Sequence, residues 1–261
     1  MAVADVAMGR FDIGRVTTRT FDVIKANFVS FFLLGLIATI PTSVYRVIIQ
    51  FASTANNPLA GNGQTGVYVL TAFGSAILGM FLALVLQATL TYGTIAYLNG
   101  QPVALGRAIG IGLRQFFPLL GIAIVEGIAI GLGFLLFIVP GFMLYTMWAV
   151  AVPVRVAEQE GVFASLTRSS DLTHGYRWPV FGTLAVFYLG SAIAQGLAGP
   201  VMTAGALSSG SAATAYVGMI LTALIGAVVA TASATLVASI YYELRMIKEG
   251  VGPAQIASVF D

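Results

Sequence analysis

Charged residues are scarce and cysteine is absent in this chain of 261 residues. Asp, Glu, Lys and Arg make up 8% of the sequence, and His174 is the only histidine. Without cysteine the chain has no disulfide, no thiolate nucleophile and no cysteine-bound metal, and one histidine excludes a multi-histidine metal site. The net charge of +2 is too small to indicate nucleic-acid binding. We therefore predict no cofactor, no metal and no nucleic-acid partner.

Long apolar runs take the place of the missing charge. Hydrophobic residues make up 58% of the chain, whereas soluble domains carry about 25% charged residues. A chain this poor in charge cannot form a soluble surface, and in lipid its backbone must bond internally. The runs are too continuous for the alternation of a transmembrane barrel, and each is near the length that crosses a bilayer. The sequence predicts an all-α integral membrane protein with six transmembrane helices, at 28–51, 67–97, 118–137 and 142–155, from residue 178 onward, and at 216–242.

Three polar stretches each precede a pair of these spans, and each has helical amphipathic spacing. They lie at 10–27, 99–117 and 161–175, and we predict that they form surface helices at the cytoplasmic side. Each is followed by two spans, which suggests a threefold helix–span–span repeat. The units would be about 11–98, 99–160 and 161–250 of a single membrane domain, 1–261, with a tail at 251–261. A simple series of hairpins starting from an inner N-terminus gives the same pattern, so both readings stay open.

The basic residues predict the orientation. Of the twelve Lys and Arg residues, all but Arg46 fall in the N-terminal arm, in or near the two surface segments between spans, or near the C-terminus. The loops at 53–66, 139–141 and 199–213 carry none. Because cytoplasmic loops are enriched in Lys and Arg, we predict that both termini are cytoplasmic.

One stretch carries a family resemblance. Residues 140–178 contain PGF, AVAVPV and SLTRSSDLTHGYRW, and the chain later has YYELR at 241–245 and KEG at 248–250. Together they resemble the membrane domains attached to some bacterial glycerophosphoryl diester phosphodiesterases and the related YciC-like proteins. The resemblance implies a multi-pass protein of the bacterial cytoplasmic (inner) membrane. In the members of that family that are enzymes, the phosphodiesterase chemistry belongs to a separate soluble barrel with clustered acidic residues and histidines. The sequence printed above shows no such cluster and a single histidine. We therefore expect a protein that is not an enzyme.

Polar residues inside the apolar runs are candidates for an intramembrane site, because burying them in lipid is costly. Glu126 lies about ten residues into the third span, roughly 15 Å deep. Gln87, Thr231 and Ser233 lie at similar depth in the second and sixth spans. These four residues could bind a proton or a ligand in a cavity. Alternatively, a protonated Glu126 joins neighbouring helices by hydrogen bonds.

Basic residues near the predicted membrane surface are candidates for contacts with anionic lipid headgroups. They are Arg15, Arg19, Arg107, Arg114, Arg168, His174, Arg177 and, near the outer interface, Arg46. His174, Asp171 and a neighbouring serine could suggest a catalytic triad, but their helical spacing and the lack of a nucleophile elbow argue against catalysis.

Two functions from different classes remain. The first is a non-enzymatic membrane protein that binds lipid, or that acts as a scaffold or accessory subunit. Its partners would be membrane lipids, other membrane subunits or a second copy of the chain. The alternative is a transporter or channel for a small or amphiphilic solute that uses a midplane site at Glu126. The sequence shows no clearly broken helix of the kind that many transporters use.

Overall fold

The computed structural model describes residues 10–55, 63–209 and 212–250, which are helical apart from short connections. The helices are α1 (Ile13–Ala26), α2 (Phe28–Ala55), α3 (Gly63–Leu98), α4 (Leu105–Leu136), α5 (Ile138–Met147), α6 (Ala151–Glu158), α7 (Val162–Thr173), α8 (Arg177–Ser209) and α9 (Ala212–Glu249). Six segments are long and apolar enough to cross a membrane, with α5 and α6 together forming the fourth. The prediction of an all-α, six-span membrane protein is confirmed. The tail at 251–261 lies outside the described residues.

The spanning helices contact one another in a ring. Around this ring the order is α2, α3, α4, α5, α8 and α9, and α3 and α9 also contact each other across it. Most buried side chains lie at one end of the bundle, where the last turns of α3 and α9 pack against α1, α6, α7 and the start of α8. Leu90, Ile95, Ile240, Tyr241 and Leu244 are almost fully buried there. We call this end the packed end.

Helix α1 is a separate amphipathic helix at the packed end, as the sequence predicts. Asp12 caps its N-terminus, because its carboxylate accepts hydrogen bonds from the amides of Gly14 (2.7 Å) and Arg15 (3.2 Å). Val16 and Val23 bury one face of α1. Helix α1 is therefore docked against the bundle through an apolar face.

The second amphipathic segment does not form a separate surface helix, and in this respect the prediction of three surface helices is wrong. Helix α4 runs without interruption from Leu105 to Leu136, through Pro118, and is about 48 Å long if straight. A proline removes one backbone hydrogen bond, but a membrane helix tolerates this where its neighbours pack closely. Leu119 and Ile122, just beyond Pro118, are fully buried, so packing keeps the helix continuous at this point.

The fourth span is broken, which the sequence analysis did not predict. Helix α5 ends at Met147 and α6 begins at Ala151, so the intervening residues interrupt the backbone hydrogen bonding. Helix α7 satisfies the freed groups. The hydroxyl of Ser169 donates to the Met147 carbonyl (3.0 Å) and accepts from the Val150 amide (3.3 Å). The hydroxyl of Thr173 also donates to the Met147 carbonyl (3.1 Å). Helix α7, which is not part of the fourth span, therefore supplies the hydrogen bonds that are missing at its break.

The turn between α4 and α5 lies slightly earlier than predicted. The extended residue is Phe137 (φ −157°, ψ 151°), and Pro140 and Gly141 already belong to α5. A Cβ added at Gly133 of α4 would lie 3.0 Å from the Cα of Gly141. The two glycines therefore allow the backbones of α4 and α5 to approach closely.

Candidate functional site

A buried carboxylate of α9 holds α1 at the packed end. Oε1 of Glu243 accepts hydrogen bonds from Nε (3.0 Å) and an Nη atom (2.7 Å) of Arg15, and Oε2 accepts one from Arg19. The Glu243 side chain is only 2% exposed. The Arg19 guanidinium also lies over the ring of Tyr242, 5.3 Å from its centre. We call Glu243, Arg15 and Arg19 the α1 clamp.

A second ion-pair cluster joins α6, α7 and α9. Arg168 of α7 bonds Glu158 of α6 (3.0 Å) and Glu249 of α9, and Arg245 bonds Glu249 (2.8 Å). The hydroxyl of Tyr241 donates to Glu158 (2.8 Å). We call these residues the α7 clamp. It fixes the short helix that completes the broken span.

The clamps use three of the arginines that the sequence analysis assigned to lipid headgroups. Arg15, Arg19 and Arg168 each bind a carboxylate of the chain, and Arg168 binds two, those of Glu158 and Glu249. The sequence reading missed Glu158 and Glu243 as partners. Glu243 directly follows Tyr241 and Tyr242 in the sequence, and Glu158 follows the predicted fourth span, but neither position indicates which arginine it pairs with.

An apolar groove lies between α5 and the start of α8. Its volume is about 610 Å³, and apolar and aromatic side chains form most of its wall. At one end the wall is polar, with His174, Gly175 and Arg177 beside Thr146. The groove is lined by Val139, Phe142, Met143, Thr146, His174, Gly175, Arg177, Trp178 and Phe181.

The turn between α7 and α8 brings His174 and Arg177 to the groove. His174 ends α7, and Gly175 follows with φ 87°, in the left-handed region that favours glycine. The chain then reverses and α8 begins at Arg177. This places one exposed imidazole and one guanidinium at the same end of the groove.

Arg177 differs from the clamp arginines in its partners. Within the part of the chain that the structure describes, no ion pair includes Arg177, and its buried Nε has no hydrogen-bond partner. Arg107 and Arg114 on α4 are exposed. The side chain of Arg46 lies outside the described residues. Arg177 is therefore a basic group at an apolar groove whose charge no described carboxylate neutralises.

The four predicted intramembrane polar residues do not share one site. Gln87 and Ser233 line a cavity of about 310 Å³ between α2, α3 and α9, together with Tyr188 of α8. Thr231 instead faces α2, where its hydroxyl donates to the Phe31 carbonyl (3.3 Å). Glu126 is not among the lining residues, and its buried Oε1 has no hydrogen-bond partner.

Two tyrosines lie near these groups, and the sequence analysis did not identify them. Tyr188 shares a hydrogen bond with Ser233 (3.1 Å). Tyr145 of α5 lies within interaction distance of both Tyr188 and Glu126. Tyrosines in apolar spans look like ordinary packing residues in a sequence, so only the tertiary structure reveals this arrangement. The hypothesis of transport through Glu126 stays a prediction.

These features define the class of the protein, a multi-pass helical membrane protein with a docked N-terminal helix and a broken fourth span. Among the described residues, no group of three or more His, Asp or Glu side chains could hold a metal ion. Comparison with protein-family models, curated proteins and solved structures gives no match. The family resemblance of residues 140–178 therefore also stays a prediction.

Proposed function

We propose that this protein is a non-enzymatic lipid-binding protein of the bacterial cytoplasmic membrane. It holds an anionic phospholipid in the groove between α5 and α8, with the phosphate at Arg177 and His174. The observation that carries the proposal is an apolar groove that ends at an arginine without an ion-pair partner.

The dimensions of the groove suit part of one acyl chain and part of the headgroup. Val139 and Thr146 are seven residues apart on α5, which corresponds to roughly 10 Å along the helix. The volume of about 610 Å³ falls within the ~300–1,000 Å³ of small-molecule sites. Acyl methylenes would contact Val139, Phe142 and Phe181. The phosphate would reach the opposite end, where a guanidinium offers paired donors.

The position of the groove in the bilayer also favours a lipid. Arg177 is the first residue of the fifth candidate span, on the side of that span that leads to the packed end. Trp178 beside it is 83% exposed, and exposed tryptophan is favoured at the level of lipid headgroups. We further propose that the packed end, with its many basic residues, faces the cytoplasm, so that both termini are cytoplasmic.

Native mass spectrometry tests the headgroup contact. The protein is taken from nanodiscs that contain equal amounts of phosphatidylglycerol and phosphatidylcholine, and the retained lipid is counted. Loss of a charge-assisted hydrogen bond costs about 1.5–3 kcal/mol, which corresponds to roughly 10–100-fold in affinity. Arg177→Gln should lose retained phosphatidylglycerol by such a factor. Arg114→Gln, which removes an exposed arginine outside the groove, should behave like the unsubstituted protein.

A second variant tests the apolar part of the groove. Met143→Trp would fill the space between α5 and α8 and leave Arg177 in place, so lipid retention should fall as it does for Arg177→Gln. If both variants retain phosphatidylglycerol as well as Arg114→Gln does, the groove is not the lipid site. A stoichiometric protein partner without bound lipid would instead support the scaffold alternative.

A further inference from the structure

A second cavity has a different chemistry from the lipid groove. It lies between α2, α3 and α9 and has a volume of about 310 Å³. Helix α8 contributes one of the named lining residues, Tyr188. Five of its lining residues carry hydroxyl or amide groups, and none of those named carries a charge. These polar residues are Thr39, Thr42, Gln87, Tyr188 and Ser233.

Most of these hydroxyl groups already have a partner. Thr39 donates to the Gly35 carbonyl (2.9 Å), and Thr42 donates to the Thr39 carbonyl (2.8 Å). Tyr188 and Ser233 share one hydrogen bond. Their remaining lone pairs are available as acceptors. The cavity wall is therefore ordered by its own hydrogen bonds, with acceptor capacity left over.

Gln87 is the exception among the lining residues. Its side-chain amide is half-buried and makes no hydrogen bond to another described residue. It lies eleven residues before the end of α3 at Leu98, or roughly 17 Å along the helix, near the middle of a hydrocarbon layer about 30 Å thick. An amide that is left without a hydrogen bond in an apolar medium costs several kcal/mol. A polar occupant of the cavity would remove this cost.

We propose that this cavity is a hydrated binding site for a small, uncharged solute that carries hydroxyl or amide groups, and that Gln87 recognises it. The amide of Gln87 offers two donors and an acceptor to such a solute. A charged ligand would lack a counter-charge on the named wall, which is costly at this depth. The volume corresponds to about ten waters at ~30 Å³ each, so a small solute and several waters fit together. The site does not depend on the lipid groove.

The absence of cysteine gives a direct test of hydration. Ala230 lines the cavity, so Ala230→Cys places the only thiol of the protein in its wall. Hydroxyethyl methanethiosulfonate, which is uncharged and water-soluble, should label it in nanodiscs at least tenfold faster than it labels Ala88→Cys. Ala88 is fully buried on α3, next to Gln87. Benzyl methanethiosulfonate, which is lipid-soluble, serves as the comparison reagent. If it labels position 230 and the water-soluble reagent does not, the cavity opens to lipid and the proposal is wrong.

Protection from labelling tests solute binding. Glycerol and urea serve as the smallest hydroxyl and amide probes, and at least one should slow the labelling of Ala230→Cys in a saturable way. Adding Gln87→Leu should abolish this protection while the hydrated cavity remains labelled, which also shows that the variant is folded. Adding Ser233→Ala, which leaves Gln87 unchanged, should retain most of it. Absence of protection by both probes, or full protection without Gln87, would overturn the proposal.

Discussion

Replacing Glu243 by glutamine perturbs the contact that holds α1 to the bundle, and the structure allows its size to be estimated. The carboxylate is 2% exposed, and it receives two hydrogen bonds from Arg15 and one from Arg19. Removing one partner of a buried ion pair costs about 3–5 kcal/mol. The two guanidinium side chains are 27% and 22% exposed, so water reaches them once the carboxylate is lost. We therefore expect a cost at the lower end, about 3 kcal/mol.

This cost should fall on α1 rather than on the whole bundle. Helix α1 would keep its buried face at Val16 and Val23, but it would lose its only described ion pairs to α9. A loss of about 3 kcal/mol raises the equilibrium constant for local opening roughly 100-fold. Hydrogen exchange measured by mass spectrometry in nanodiscs should therefore show much faster exchange across residues 13–26 in Glu243→Gln.

A matched control removes a negative charge from α1 itself. Asp22 is exposed and makes no ion pair with another described residue, so Asp22→Asn should leave the exchange of α1 unchanged. The reasoning would be refuted if Glu243→Gln left α1 as protected as Asp22→Asn does. It would also be refuted if all helices lost protection equally, since the clamp would then stabilise the whole bundle.

Two further substitutions test the packing of the spans. Ser169→Ala should lower thermal stability, because it leaves the Val150 amide at the break in the fourth span without its partner, at a cost of about 1–3 kcal/mol. Ser170→Ala should not lower it, because the hydroxyl of Ser170 makes no described hydrogen bond. Gly112→Ala should destabilise the protein, because the added Cβ would lie 2.3 Å from Oγ1 of Thr89. The control is Gly110→Ala, whose added Cβ meets no atom within 4 Å. This control should be neutral or slightly stabilising, because alanine favours the helix over glycine. Scanning fluorimetry in the same detergent measures both pairs, and equal melting temperatures within either pair would contradict its prediction.

The six spans could be predicted because they depend on composition. In lipid, a continuous run of about 20 apolar residues satisfies its backbone N–H and C=O groups by forming a helix. The sequence pattern alone was less informative about helix boundaries where packing against neighbouring helices determines them. Pro118 and the preceding polar residues indicated a helix boundary, yet packing around Leu119 and Ile122 keeps α4 continuous.

The broken span was hidden for the opposite reason. The residues around 148–150 are apolar and read as uninterrupted span, and nothing local marks the break. The groups that make it tolerable, Ser169 and Thr173, come from a helix some twenty residues later. A sequence shows a serine and a threonine on a polar helix, but it does not show which carbonyl their hydroxyl groups reach.

The candidate site was predictable only as a set of basic residues. The sequence shows arginines near the predicted membrane surface, but it does not show which of them already form an ion pair with a carboxylate of the chain. The partners in the α1 clamp are 228 and 224 residues apart in the chain. In the sequence Glu243 directly follows the last predicted span, at 216–242, where an exposed position is expected, whereas the docking of α1 buries it.

The clamps also bear on where an anionic lipid would bind. A phosphate that approached Arg15, Arg19 or Arg168 would have to displace a carboxylate that is already hydrogen-bonded, so its net gain would be small. A phosphate at Arg177 displaces no described carboxylate and would neutralise a guanidinium that has no described ion pair. Arg107 and Arg114 are free of ion pairs among the described residues but lie outside the groove. Selective retention of an anionic lipid should therefore depend on Arg177 more than on the arginines that the chain has already paired.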